Sequence, residues 1–322
     1  MGRDMRRLEQ AFGSRLKKGL ALRDFTTLGI GGPARAMVVA HTREELIDAV
    51  RMAREEGTPL LLLGGGSNLL VADAGVDSLV IKNEVAGIER TGEDVVVQSG
   101  SLLQDLVDFS VANGLAGLQR MTGIPGTVGG AVFGNAGAYG QTISDHLEEV
   151  VCFDGRRLVS FAKDECQFAY RHSAFKTNGC VVLAARLRLP KEDAEALAAD
   201  ARAVLTQRLA KYPPGLRCPG SFFKNVLAET LPAASLELIP PERVIHGKVP
   251  AGFLLETVGA KGQRLGDIEV AAASANLFVN RGNGTAADVV ALAARLAGKV
   301  KEKYGIELVP EVQLVNLPPL RL

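Results

Sequence analysis

Eighteen residues at 123–140, GIPGTVGGAVFGNAGAYG, hold seven glycines. Glycine in regular backbone costs about 0.5–1 kcal/mol relative to alanine, so a run this dense needs a reason. Close backbone approach to an extended ligand explains it better than turns alone. A second run at 61–68, LLLGGGSN, follows a continuous apolar strand at 59–63. The pyrophosphate of a dinucleotide is bulky and doubly charged, and it requires N–H donors with no Cβ in the way. Either loop alone is a weak signal; together they form a two-sided cradle. The residues after Gly66 do not fit G-x-G-x-x-G, so an ordinary Rossmann site is disfavoured.

The remaining pattern predicts an α+β chain. Thr42 and Glu45 form a capping box for a helix over 43–56, with Leu46, Val50 and Ala53 on one face. Strands at 36–40 and 59–63 flank it, which suggests a βαβ unit whose binding loop lies at the strand's carboxyl end. Short strands between 79 and 99, a helix over 101–113 and strands at 150–153 and 180–189 make a second lobe. A helix over about 191–211 ends before Pro213-Pro214. Thr285 caps a helix over 286–303, and a last strand at 307–315 carries Glu311. The organisation expected is a lead-in at 1–20 and a two-lobed domain at 21–190, with lobes at about 21–82 and 83–190. A connecting helix at 191–213 leads to a smaller domain at 214–316, whose last strand returns to the active site, and 317–322 is a tail.

Composition excludes several classes. Basic and acidic residues number 37 and 36, so no sequence-wide field draws the chain to nucleic acid. No run approaches the roughly 20 apolar residues of a membrane span. Cys152, Cys166, Cys180 and Cys218 form no Cys-x-x-Cys pair and have no histidine at zinc-ligand spacing, so no metal is expected. The basic N-terminus lacks the apolar stretch of an export signal. Reduced thiols and a cytoplasmic setting follow as expectations.

Six segments then occur in a telling order: TLGIGG (27–32), LGGGSNLL (63–70), GIPGTVGGAVFGNAGAYG (123–140), YRHSAFK (170–176), GSFFKN (220–225) and VPEVQLV (309–315). In this the chain resembles the UDP-N-acetylenolpyruvoylglucosamine reductases of peptidoglycan synthesis, over about residues 20 to 316. The only tyrosine between Arg171 and Ser221 is Tyr212, which resembles the family form without the inserted tyrosine loop. The segment 226–250 is longer than in many relatives.

The resemblance implies an FAD-binding fold of the vanillyl-alcohol-oxidase type, in two α+β lobes, followed by a smaller α+β substrate-binding domain. It implies FAD held by Gly64, Gly65, Gly66, Ser67, Asn68 and Leu69 of the first loop. From the second come Thr122, Gly123, Ile124, Pro125, Gly126, Thr127, Gly129, Gly130, Asn135, Gly137 and Ala138, with Val182 added. The resemblance further implies that NADPH reduces the flavin and that hydride then passes from flavin N5 to UDP-N-acetylglucosamine enolpyruvate, giving UDP-N-acetylmuramate. Tyr170, Lys224 and Asn225 match substrate-binding positions, and Arg208 is a further phosphate candidate. A monomer or weak oligomer is expected.

The chemistry of the reaction fits the residues the resemblance assigns. Hydride addition to an enol ether is feasible only if the adjacent carboxylate absorbs developing charge as an enolate, which needs a cation and an acid. Arg171 matches the cation, because a guanidinium engages a carboxylate in bidentate fashion. Ser221 matches the proton donor. Glu311 matches the residue that helps Arg171 stabilise the enolate, and a carboxylate does this only when it carries or shares a proton. Two other readings stand beside this one. A different flavin oxidoreductase of the same fold, acting on alcohols or hydroxy acids, would share the loops but not need Arg171, Ser221 and Glu311 together. A non-catalytic module would hold a nucleotide without chemistry.

Overall fold

In the computed structural model, which describes residues 5–320, Thr42 accepts the Glu45 N–H at 3.2 Å. The Glu45 carboxylate in turn accepts the N–H of His41 at 2.9 Å. The helix so started, Arg43–Glu55, buries Leu46, Ala49, Val50 and Ala53. The two flanking strands, Ala34–Ala40 and Leu60–Leu63, are not neighbours. Strand Val76–Asn83 separates them in a four-stranded sheet edged by Lys17–Lys18. Leu60–Leu63 pairs with it in parallel, with Leu61 opposite Val80.

A second sheet is antiparallel throughout, in the order Leu158–Ala162, Leu147–Phe153, Val181–Arg188, Asp94–Gln98, Ile88–Thr91. Helices Leu103–Ala112 and Val128–Gly134 supply Leu103, Leu106, Val107, Val128 and Val132 to its core, where Val95, Val97 and Leu187 meet them. Phe153, Val181 and Leu183 from this sheet join Leu46, Val50 and Leu79 in a further cluster, which links the two sheets. Helix Ala194–Lys211, capped by Asp193, belongs to the same unit.

The chain divides into two compact units. The first runs to Leu20, then Ala34–Gly65, then Asp77–Pro213. The second takes Ala21–Pro33, Gly66–Val76 and the chain from Pro214. The division after Pro213 falls at the proline pair, but the run 21–190 gives up its first stretch, 21–33, and an inner one, 66–76, to the second unit. Residues 1–4 of the lead-in and 321–322 of the tail lie outside the described residues.

The reason for this division is packing and polar pairing. Leu28, Ile30 and Leu70 are core residues of the second unit, among Leu254, Phe278, Leu292 and Leu296. Asp73 accepts the N–H groups of Ala286 at 2.8 Å and Ala287 at 3.2 Å, adding to the Thr285 cap of helix Ala286–Tyr304. A carboxylate at that end also suits the helix dipole. Strand Leu69–Val71 pairs in parallel with Gln313–Val315.

Phe222, Phe223 and Phe278 pack edge to face or tilted, with centroids 4.7–6.2 Å apart. They form the middle of the second unit between a small antiparallel sheet and the long helix. The longer segment after Asn225 is an excursion closed at its base, where Val226 pairs with Val249 and Leu227 with Lys248. Ile239 and Val249 pack it onto the same core. The predicted strand over 307–315 shortens to Gln313–Val315. Pro310, with no N–H to donate, makes only an isolated bridge to Phe223. Glu311 therefore stands in a bend ahead of the strand.

Candidate active site

The two glycine loops touch. An added Cβ on Gly65 would lie 2.6 Å from the Gly126 Cα, and one on Gly64 would lie 2.5 Å from the Thr127 hydroxyl. Sequence reasoning gave both glycines to a ligand's approach. In the structure the side of each on which a Cβ would stand faces the second loop, a close approach that sequence alone does not reveal.

The second loop is tied down along its length. Gly126 O accepts the Leu103 N–H, while the N–H groups of Val128 and Gly129 donate to the carbonyls of Ser101 and Ser99. Thr127 caps Val128–Gly134 by accepting the Gly130 N–H at 3.3 Å. The first N–H groups of that short helix are thus spent within the protein. Thr122 is buried, and Gly123 donates to Gln104 Oε1 at 2.6 Å. Ile124 packs on the core, and Gly137-Ala138 pairs with Gln141-Thr142. Val182 is 5% exposed in the core of the antiparallel sheet, opposite Cys152.

Room for a polar ligand remains at particular atoms. Among the described residues, the N–H groups of Gly65 and Gly66 meet no acceptor. The buried carboxamide oxygen of Asn135 has no hydrogen-bond partner. An added Cβ on Gly130 would meet nothing nearer than 3.6 Å, and one on Gly134 nothing within 4 Å. Packing demands no glycine at these two positions, which leaves their faces open. Unpartnered donors, an orphaned acceptor and open glycine faces are what an FAD cradle requires.

Arg171 stands at the end of this loop. Its Nη2 donates to Gly137 O at 2.9 Å and its Nη1 to Asn135 O at 3.5 Å. The guanidinium also lies 5.3 Å from the Tyr170 ring. Its backbone is left-handed, φ 54, in a tight turn between Ala169 and His172. Lys176 holds the Arg171 carbonyl at 3.0 Å, and the buried Ser173 hydroxyl donates to Phe133 O at 2.8 Å. His172 contributes backbone bonds to the turn.

In the second unit Ser221 and Glu311 lie on adjacent stretches. Glu311 donates its N–H to Phe222 O at 2.8 Å, and Lys224 donates to Val309 O at 2.9 Å. Ser221 bridges Leu277 on its other side. Asn225 accepts the Ala251 N–H at 3.1 Å, so this predicted substrate residue also starts helix Ala251–Thr257. Ser67 and Asn68 lead from the first loop into strand Leu69–Val71.

Arg208 reaches Gly123 O at 3.1 Å, while its buried Nε has no hydrogen-bond partner among the described residues. Burial pushes its guanidinium below the ordinary value. Gln104, the acceptor for Gly123, escaped sequence reasoning. A glutamine on an amphipathic helix carries no signal of its own. All four cysteines are free thiols, three of them buried.

Residues 34–156 match the FAD binding domain family. The chain is an FAD-binding oxidoreductase, and its two-lobed α+β architecture is the fold expected. Residues 212–315 match the family described as UDP-N-acetylenolpyruvoylglucosamine reductase, C-terminal domain. The chain is 44% identical over 295 residues to the UDP-N-acetylenolpyruvoylglucosamine reductase of Solibacter usitatus, across 91% of this chain and 94% of that protein. It is 40% identical to the Rubrobacter xylanophilus enzyme of the same name, across 92% and 94%. The crystal structure of the Thermus caldophilus UDP-N-acetylenolpyruvylglucosamine reductase aligns with a TM-score of 0.75 at 33% identity, covering 94% of this chain and 99% of that one. The chain belongs to the UDP-N-acetylenolpyruvoylglucosamine reductase family.

Proposed function

We propose that this chain reduces UDP-N-acetylglucosamine enolpyruvate to UDP-N-acetylmuramate with NADPH, as a step in making peptidoglycan precursors. The observation that carries the reading is 44% identity to a reductase of that name along 91% of the chain. FAD, when bound, supplies the hydride-carrying group between the nicotinamide and the enolpyruvyl carbon. Gly65, Gly66, Asn135 and the open faces at Gly130 and Gly134 are the groups that hold it.

Arg171 is oriented by the carbonyls of Asn135 and Gly137. Its guanidinium takes the substrate carboxylate and stabilises the charge that develops there. Glu311 shares in that stabilisation. Ser221 delivers the proton to the carbon next to the carboxylate, which a hydroxyl does only in a dry site against a strongly basic enolate. Tyr170, Lys224 and Asn225 bind the sugar nucleotide. Free thiols and a nucleotide-sugar substrate support a cytoplasmic setting. No helix among the described residues is long and apolar enough to cross a membrane. The chain acts as a monomer or weak oligomer.

The test is the absorption spectrum of the purified protein under anaerobic conditions. A flavin band bleached by NADPH and restored by the enolpyruvyl sugar nucleotide is the expected result. A band that NADPH leaves unchanged, or that only simple carbonyl compounds restore, overturns the reading.

A further inference from the structure

Gly123, near the start of the second glycine loop, is gripped at both of its peptide groups by side chains from different helices. Gln104, on helix Leu103–Ala112, accepts its N–H at 2.6 Å. Arg208, on helix Ala194–Lys211, donates Nη2 to its carbonyl at 3.1 Å. The residue sits at φ +72, and an added Cβ would come within 3.1 Å of both Arg208 Nε and Leu205 Cδ1. The left-handed conformation and the tight fit favour glycine here, and glycine alone would wander.

The grip has a direction built into it. A carboxamide can face Gly123 with oxygen or with nitrogen, and only oxygen accepts an N–H. One turn on, Asp108 Oδ1 receives Gln104 Nε2 at 2.7 Å. A carboxylate only accepts, so Asp108 fixes the amide with its oxygen toward the loop. The same nitrogen lies 3.2 Å from the Thr122 hydroxyl. A relay of Asp108, Gln104 and Gly123 therefore sets the loop before any ligand arrives, and Arg208 sets it from the other side.

We propose that Gln104 and Arg208 are positioning residues for FAD, holding the second glycine loop in its binding conformation, with Asp108 selecting the orientation of Gln104. The inference rests on the reading of this loop as an FAD cradle. Neither residue touches the flavin in this account. Each removes the cost of ordering Gly123 when the cofactor binds. Fixing one residue's backbone is worth about 1–2 kcal/mol, and tenfold in Kd is about 1.4 kcal/mol.

The experiment titrates FAD-stripped full-length protein with FAD, followed by flavin fluorescence, with neither NADPH nor substrate present. Gln104→Met keeps the side chain's length and removes the acceptor; it is expected to raise the FAD Kd about tenfold. Gln104→Glu combined with Asp108→Asn reverses the donor and acceptor between the two residues but still presents an oxygen to Gly123. That pair is expected to bind FAD within about threefold of the unsubstituted protein, a difference under 1 kcal/mol. Arg208→Met, which loses the bond to the Gly123 carbonyl, is expected to weaken FAD by about the same factor as Gln104→Met.

Melting of the apoproteins separates positioning from general stability. A Gln104→Met protein that melts earlier yet binds FAD with unchanged Kd overturns the proposal, as does a double variant no better than Gln104→Met. If Gln104→Met does not fold, the double variant and Arg208→Met decide the matter by the same titration. Failure of the unsubstituted protein to bind FAD would instead remove the cofactor reading itself.

Discussion

The side-chain amide of Asn68 donates to the carbonyl of Glu311 at 3.1 Å. The Asn68 carbonyl in turn accepts the Gln313 N–H at 2.9 Å. The last residue of the GGGSN turn thus brackets the bend in which Glu311 stands, and the parallel pairing of Leu69 with Gln313 continues from it. Two motifs separated by most of the sequence share one short ladder.

Asn68→Ala removes that side-chain bond. It is expected to lower unfolding stability by about 1 kcal/mol, the usual net worth of a hydrogen bond. With Glu311 less well held, oxidation of the reduced enzyme by the sugar nucleotide should slow more than reduction by NADPH. Stopped-flow measurement of the two half-reactions checks this, and equal slowing counts against the tether.

Ser221→Ala is expected to leave flavin reduction by NADPH intact. Oxidation by the enolpyruvyl substrate should fall by about 10²-fold or more, the usual effect of a lost general acid. The same two half-reactions report the result. Slowing of both to the same extent would show that Ser221 is not the proton donor.

Gly65→Ala places a methyl group 2.6 Å from the Gly126 backbone, where neither partner is a flexible side-chain end. The loops must part, at the cost of about 1–3 kcal/mol typical of overpacking. Thermal melting of the apoprotein should show the loss. The purified variant should also carry less flavin per chain than the unsubstituted protein.

Alkaline stability depends on buried thiols. Burial, with a smaller contribution from the Glu165 charge, pushes Cys166 from 9.0 up to about 11. Burial pushes Cys152 up further still. Between those values the folded thiol keeps its proton while the unfolded chain releases one, so unfolding is favoured as pH rises. The stability is fully present below about pH 9 and declines toward pH 11. Melting temperatures from pH 8 to 10.5 should show this decline, and it should be shallower in Cys166→Ala.

Local signals carried far in this chain. Thr42 and Thr285 cap the helices that their spacing predicted, and the apolar faces at Leu46, Val50, Leu292 and Leu296 are buried as periodicity required. The motif order was sufficient to place the family. What local signals could not carry was long-range pairing. Nothing around Asp73 announces that it caps a helix more than two hundred residues away. Nothing in GGG distinguishes a glycine that meets another loop from one that meets a ligand. The strand expected through Glu311 begins only at Gln313 because Pro310 interrupts its ladder. Gln104 was invisible for a related reason, since its role depends on where the backbone of Gly123 passes.

Leu28, Ile30 and the Leu69–Val71 strand come from the early chain yet complete the core that begins again at Pro214. The reductase therefore has no seam along which a single cut yields two whole halves. A ribosome must finish the last third before the first third can settle all of its hydrophobic residues. A gene fusion or truncation at the Pro213-Pro214 junction would strand three inner-face side chains on the wrong fragment.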